Sequence, residues 1–166
     1  MVAVITITAK ESWIRQLQLR PHVAEGGYYC EQYKSSRWVL ADGTAAMDTI
    51  YYMLTDDSPI GHFHRNKSDI VHFFHAGGPL KYTTIDPRGT VETFILGAEI
   101  EAGEELQRVV SGGCWKATEL LSGSFGLISE AVVPSFAAKD RLIATRSMLG
   151  GLFPDLDKQV LRLAWE

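Results

Sequence analysis

Short runs of Val, Ile, Tyr, Phe and Thr dominate the chain from Gly27 onward, and clusters of Gly, Pro, Asp and Ser separate the runs. This spacing of apolar runs and turn signals is typical of antiparallel strands. It predicts about eight strands of modest length, over 28–35, 47–55, 69–75, 80–85, 91–96, 105–110, 115–121 and 125–133. Strands of this number and length favour a two-sheet sandwich or jelly roll over a parallel α/β sheet.

Helical patterns mark the two ends of the chain. Thr8-Ala9-Lys10-Glu11 has the form of a capping box, and the apolar residues that follow share one helical stripe. We expect a short N-terminal helix that ends at Pro21, since proline cannot continue a helix. After Pro134 the strand pattern stops, and spaced apolar residues predict short C-terminal helices outside the sheets: Leu149, Leu152, Leu156, Val160, Leu161 and Leu163.

Composition restricts the class of protein. The 166 residues suffice for one domain spanning 1–166, and 46% apolar with 22% charged residues exclude disorder and fibrous repeats. A net charge of −4 supplies no positive field for nucleic acid or an anionic membrane. There is no bilayer-length apolar stretch or signal-peptide pattern, and Cys30 and Cys114 are expected as free thiols. We therefore expect a cytoplasmic protein without nucleic-acid or membrane partners.

Two histidines stand two residues apart in the segment that leads to Asp69. On an extended strand His62 and His64 would project from the same face, and Asp69 could return beside them on the next strand. This pattern predicts a candidate metal site formed by the three side chains. The alternative is a pair of surface or hydrogen-bonded histidines near a turn.

Alternation along the strand 69–75 places Asp69 and His72 on opposite faces of the strand. Asp69 shares one face with positions 71, 73 and 75, whereas His72 shares the other with positions 70 and 74. Without a β-bulge, only one of the two can face a pocket. The sequence leaves open which one does, and for His72 the alternative is a hydrogen-bonded structural imidazole.

The loop before the first predicted strand concentrates polar groups. His22, Glu25 and Tyr29 flank Gly26-Gly27, and paired glycines let the backbone approach a ligand closely. All three side chains can carry protons. We expect His22 and Glu25 to bind a ligand and Tyr29 to donate a proton, the alternative being a tight turn into an aromatic core.

A Gly-Gly turn precedes the strand 115–121, which carries Lys116 and Glu119. A strand lysine is usually a solvated edge charge. If Lys116 points into a barrel, it would instead bind an anionic substrate or serve as a base. We count both residues among the ligand-binding candidates.

Several short motifs in order resemble the cupin superfamily, and in particular a small single-domain cupin family of unknown function. They span most of the chain: Pro21-His22, Glu25 to Tyr29, Ile50 to Leu54, Phe63 to Arg65, Lys67 to Asp69, His72 to Phe74, Gly113 with Trp115, Ala117 and Glu119, Val133-Pro134, and Phe153-Pro154. The resemblance implies an all-β fold, the cupin double-stranded β-helix or jelly-roll barrel, usually a homodimer with a polar pocket in the barrel mouth. It adds Tyr52 and His72 to the ligand-binding candidates. It also favours His64 over His62 as a pocket residue, because His64 belongs to the shared Phe-His-Arg segment.

The chain departs from the general cupin metal motifs at two of the positions that supply metal ligands. Asp69 stands where those motifs have glutamate, and Lys116 stands at the place of the final metal ligand. An ammonium there would repel a divalent cation. We therefore expect either no cofactor or a weakly bound divalent metal.

Three functions fit these residues. The first is an isomerase- or epimerase-like enzyme that binds a small polar molecule, anionic or sugar-like, and uses His64, Asp69 and Tyr29 for acid–base chemistry. The second is a metal-dependent, oxygenase-like cupin with His62, His64 and Asp69 as a two-histidine, one-carboxylate site. The third is a non-catalytic protein that binds a small ligand.

Apolar surface near the N-terminus predicts a homodimer. Trp13, Ile14 and Tyr28 lie on the predicted first helix and first strand. One small barrel has too little interior to bury all three, and the unpaired edge strands of a sandwich must be covered by another element or chain. A small-molecule ligand and a second copy of the chain are therefore the partners we expect.

Overall fold

The computed structural model describes residues 8–166, which form eleven strands and three α-helices. The helices are α1 (Ala9–Gln16), α2 (Arg146–Leu152) and α3 (Lys158–Leu161). The strands are β1 (Arg20–Pro21), β2 (Tyr28–Lys34), β3 (Asp48–Thr55), β4 (Ile60–Arg65), β5 (Asp69–Gly77), β6 (Leu80–Ile85), β7 (Val91–Leu96), β8 (Gln107–Val110), β9 (Trp115–Leu120), β10 (Phe125–Val133) and β11 (Leu142–Ile143).

The strands pair into two antiparallel sheets. The first sheet has the order β1-β2-β3-β10-β5-β8, and the second has the order β11-β4-β9-β6-β7. This sandwich with short terminal helices confirms the predicted fold class. The eight predicted strands correspond to β2, β3 and β5 to β10. Strand β4 was not among them, because Gly61 and two histidines interrupt its apolar pattern.

Three apolar clusters hold the layers together. One cluster lies between the two sheets and includes Tyr52, Leu54, Leu80, Tyr82, Phe94, Leu96, Val110 and Ile128. A second lies between the outer face of the second sheet and the C-terminal helices, and its buried members are Phe63, Ile85, Trp115, Ala117, Ala144, Leu149, Leu163 and Ala164. The third packs the N-terminal helix on the outer face of the first sheet around Leu19, Met53, Phe125 and Leu127. Both outer faces are thus partly covered, and the polar site lies between the sheets.

Helix α1 begins with the predicted capping box. The Thr8 hydroxyl accepts the Glu11 backbone N–H, and the Glu11 carboxylate accepts that of Thr8. The helix ends earlier than predicted, at Gln16, because Gln18 takes a left-handed φ of 55°. Pro21 lies instead in β1, opposite Tyr28. None of the helices in residues 8–166 is long and apolar enough to cross a membrane.

Candidate functional site

Two cross-strand pairs supply the polar groups inside the barrel, one pair from each sheet. In the first sheet Glu130 of β10 lies directly opposite His72 of β5. In the second sheet Lys116 of β9 lies directly opposite His64 of β4. Directly opposed residues of neighbouring strands share a face, so the register of each sheet sets each pair. All four side chains are buried.

Lys116 joins the two sheets through its ammonium. Its Nζ lies 2.7 Å from His72 Nε2 and 3.1 Å from Glu130 Oε1, and His72 Nε2 lies 3.2 Å from the same oxygen. An ammonium has only donors, so His72 accepts on Nε2 and carries its proton on Nδ1. Burial would raise the pKa of Glu130, but the positive charge of Lys116, together with the nearby His72, outweighs this effect and holds that pKa well below its ordinary value. Burial lowers the pKa of His72, and the positive charge of Lys116 lowers it further.

Glu25 forms a second polar cluster nearer the barrel mouth. Its Oε1 accepts a hydrogen bond from Arg141 Nη1 at 2.9 Å and lies 3.6 Å from His22 Nε2. Its Oε2 lies 3.5 Å from His64 Nε2. Glu25 N–H donates to His22 Nδ1 at 3.0 Å, which fixes the loop between the two residues. The cluster therefore connects the N-terminal loop with the interior of the second sheet.

The tautomer of His64 follows from its backbone contact. Nδ1 of His64 lies 2.8 Å from the His62 carbonyl oxygen, which can only accept, so Nδ1 carries the proton and Nε2 presents a lone pair. Burial lowers the pKa of His64, and the negative charge of Glu25 opposes this effect only in part. Burial would raise the pKa of Glu25, but His64, His22 and Lys116 together lower it. An imidazole lone pair and a carboxylate oxygen thus face each other.

A cavity of about 320 Å³ opens beside this second cluster. Its wall combines the N-terminal loop, the inner face of the first sheet and the segment after β10: Pro21, His22, Val23, Ala24, Glu25, Tyr29, Glu31, Asp48, Ile50, Asn66, Ile70, Glu130, Val132, Phe136, Ala138 and Arg141. Arg141 is neutralised by Glu25, and Glu130 is neutralised by Lys116. Glu31 and Asp48 add further carboxylates to the wall.

The loop that carries Glu25 depends on a glycine. Gly26 has a φ of 91°, and a Cβ built there would lie 2.2 Å from the Ile60 carbonyl oxygen. Tyr52 of β3 fixes this loop, since its hydroxyl donates a hydrogen bond to the Gly26 carbonyl oxygen at 2.9 Å. Burial raises the pKa of Tyr52 well above its ordinary value. Tyr52 therefore positions the loop that carries Glu25 and is not among the residues that line the cavity.

His62 and Asp69 do not join His64. The pairing of β4 with β9 shifts register between Gly61 and His64, which breaks the alternation that would put both histidines on one face. The His62 ring stacks on Trp165 at 3.8 Å. Asp69 is exposed, and its carboxylate accepts the Gly112 N–H at 2.7 Å. Since His72 faces the interior, the alternation of β5 sends Asp69 outward.

The remaining predicted residues divide into two groups. Tyr29 and His22 line the cavity with their ring centroids 4.5 Å apart. Glu119 points away from the cavity and forms an ion pair with Arg162 beyond α3. Trp115 and Ala117, four and two positions earlier, lie in the cluster under the C-terminal helices, so Glu119 shares their outward face.

These side chains do not fit the divalent metal that the cupin motifs imply. His62, His64 and Asp69 do not converge, and within residues 8–166 no three His, Cys, Asp or Glu side chains are arranged to hold a metal ion. The Lys116 ammonium lies beside the buried atoms that could ligate a metal, His72 Nε2 and Glu130 Oε1. Near Glu25, the Arg141 guanidinium supplies the opposing charge. The metal-dependent, oxygenase-like alternative therefore lacks its ligand set.

Two residues of the site, Glu130 and Arg141, are not among those that the sequence predicts. Glu130 stands in the predicted strand 125–133 between Ile128 and Val132, so its carboxylate is aimed inward with two apolar side chains. That position was a usable signal, because an inward charge needs a partner. No local sequence signal marks Arg141, because its contact with Glu25 joins residues that are 116 positions apart.

Comparisons with known proteins identify relatives that match most of the chain. The family model described as Cupin superfamily (DUF985) matches residues 11–144. The uncharacterized protein YML079W of Saccharomyces cerevisiae is 38% identical over 144 residues, which cover 76% of this chain and 71% of the yeast protein. The structure of a hypothetical protein from Leishmania major has 32% identity and a TM-score of 0.86, and covers 96% of this chain and 99% of its own. Protein SO0799 from Shewanella oneidensis has 30% identity and a TM-score of 0.86, with coverage of 94% and 96%.

Proposed function

The chain belongs to the DUF985 family of the cupin superfamily, and we propose that it is an acid–base enzyme of the isomerase or epimerase type. Its substrate is a small, neutral, hydroxyl-rich carbonyl compound bound in the cavity beside Glu25. The observation that carries the proposal is the 3.5 Å separation of His64 Nε2 from Glu25 Oε2. Both atoms are proton acceptors, so one proton from a bound molecule satisfies them together.

The chemistry needs no co-reactant. Glu25, supported by His64, removes a proton from the carbon next to the carbonyl, and the electron pair moves onto the carbonyl oxygen. Tyr29 lines the same cavity and is the candidate acid that returns a proton to carbon. Substrate and product have the same atoms, and the proton held by Glu25 and His64 restores Tyr29 through solvent.

The charges around the cavity support a neutral substrate. Arg141 is the cation on the wall, and Glu25 lies 2.9 Å from it. Glu31 and Asp48 would repel an anion. A cavity of about 320 Å³ fits a small molecule. Of the two classes expected from the sequence, the sugar-like class is therefore favoured over the anionic one.

One feature favours a second candidate, a protein that binds such a molecule without converting it. The His64 side chain is only 6% exposed, so a ligand reaches it through Glu25 rather than directly. Arg141 also holds one oxygen of Glu25. An enzyme must release that carboxylate toward its substrate, whereas a binding protein need not.

Hydrogen exchange separates the two candidates. A panel of small neutral aldoses and ketoses is incubated with the protein in D₂O, and NMR records both line broadening by binding and the loss of C–H signal next to the carbonyl. We expect at least one compound to exchange. Binding without exchange across all bound members of the panel favours the second candidate, and absence of both overturns the proposal.

Variants connect the exchange to the site. Glu25→Gln keeps the size of the side chain but removes the base, so exchange should fall by about 100-fold or more. Asp69→Asn is the matched control, because Asp69 is exposed and bonded to Gly112. Equal loss of exchange in both variants would remove Glu25 from its proposed role.

A further inference from the structure

The inner cluster contains atoms that normally bind metals, arranged around a lysine. His72 Nε2 and Glu130 Oε1 lie 2.7 Å and 3.1 Å from Lys116 Nζ. The three residues are 0%, 9% and 2% exposed, respectively. An imidazole nitrogen and a carboxylate oxygen that converge in a buried position are a partial ligand set for a transition metal. The proposed reaction at Glu25 does not use this cluster.

We propose that the Lys116 ammonium is the resident cation of the barrel and that replacing it with a neutral ligand converts His72 and Glu130 into a divalent-metal site. In the native chain the ammonium neutralises Glu130 and occupies the Nε2 lone pair of His72. In Lys116→Gln, the new amide oxygen joins those two atoms as a third ligand, and water completes the coordination. This inference does not depend on whether the cavity is catalytic.

Electrostatics explains why the native chain and the variant should differ. A divalent ion within about 4 Å of a fixed ammonium is repelled strongly in a buried site, even at a high effective dielectric constant. A buried carboxylate without its cation is in turn costly, so the variant gains by taking up a metal ion. Replacing Lys116 therefore removes the repulsion of the metal ion and also leaves the Glu130 carboxylate without its cation.

Cobalt binding tests the inference, since Co²⁺ coordination is visible by absorption. Wild type, Lys116→Gln, Lys116→Met and Lys158→Gln are mixed with CoCl₂, desalted and analysed for metal per chain. We expect one Co²⁺ per chain and a d–d band in Lys116→Gln, with affinity more than about 100-fold above wild type. Lys116→Met loses the same charge but supplies a poorer ligand, so it should retain less metal. Lys158 is exposed, so Lys158→Gln should behave as wild type.

Two results would overturn the inference. One is a wild-type protein that retains one Co²⁺ per chain with the same spectrum. The other is a folded Lys116→Gln that retains none, or whose cobalt band survives when His72→Ala is added. If Lys116→Gln does not fold alone, it is refolded with and without CoCl₂. Cobalt-dependent folding supports the inference, and failure in both conditions counts against it.

Discussion

Glu130 and His72 stand directly opposite each other on β10 and β5, with Glu130 Oε1 3.2 Å from His72 Nε2. The Lys116 ammonium reaches both atoms from the opposite sheet. The two sheets are therefore joined by a buried polar contact as well as by apolar packing. Such a contact is sensitive to the loss of one partner.

Lys116→Met should destabilise the fold by about 3–5 kcal/mol, because it leaves the Glu130 carboxylate buried without its cation. Adding Glu130→Gln to that variant removes the unpaired charge, so the double variant should lose less than the single one. Denaturant unfolding measures both free energies. A single variant as stable as wild type would mean that Glu130 does not need Lys116.

Stability should fall as the solution is acidified, in two stages. The pKa values of His64 and His72 in the folded chain lie below the ordinary 6.5, so the unfolded chain binds more protons and the free energy of unfolding falls below that pH. The pKa values of Glu25 and Glu130 lie below the ordinary 4.5, which adds a second loss below pH 4.5. Unfolding measured from pH 8 to pH 3.5 should show both stages. In His72→Gln the first stage should shrink, and an unchanged curve would contradict this assignment.

Gly26→Ala should be far more harmful than Gly103→Ala. Both glycines have a left-handed φ, of 91° and 87°, so both variants carry the same backbone strain. A Cβ at Gly26 also meets the Ile60 carbonyl at 2.2 Å, whereas nothing lies within 4 Å of one at Gly103. We expect a loss of about 1 kcal/mol at Gly103 and a clearly larger one at Gly26, together with loss of ligand binding. Equal losses would show that the loop carrying Glu25 can move freely.

We propose that the chain forms a homodimer, but through a different surface from the one expected. Ile14 and Tyr28 pack on the cluster under α1 within the same chain. An uncharged cross-strand row remains on the outer face of the first sheet: Tyr33, Thr49, Ala131, Val71 and Val109. A second copy would cover this row.

Light scattering tests the dimer. A mass near twice 18.4 kDa is expected for wild type. Val109→Lys should lower it toward one chain, whereas Val91→Lys should not, although both valines are exposed on edge strands, at 53% and 39%. A wild-type mass of one chain at micromolar concentration would end the proposal.

Local patterns were sufficient to predict eight of the eleven strands, the capping box and the sheet class. Apolar alternation and turn residues act over a few positions, so the bounds of β6, β7 and β10 could be read from the chain. The bulge in β4 could not, because it depends on pairing with β9. That single irregularity separates His62 from His64 and removes the predicted metal face.

The partners of the buried charges required the fold. Alternation allowed either Asp69 or His72 to face inward, and the contact of His72 with Lys116 and Glu130 favours the latter. Arg141 reaches Glu25 only after the whole barrel has formed. Residues far apart in the chain therefore determine the electrostatics of the site, and no local pattern predicts them.

The proposed acid–base chemistry requires that His64 present an unprotonated Nε2 to the Glu25 carboxylate. Long-range ¹H–¹⁵N NMR of ¹⁵N-histidine-labelled protein at pH 7 tests this claim directly, with the His64 signals assigned by their loss in His64→Gln. We predict a neutral ring with its proton on Nδ1, stable to below pH 6.5. A ring protonated on Nε2, or a doubly protonated imidazolium at pH 7, would show that His64 does not present a lone pair to Glu25.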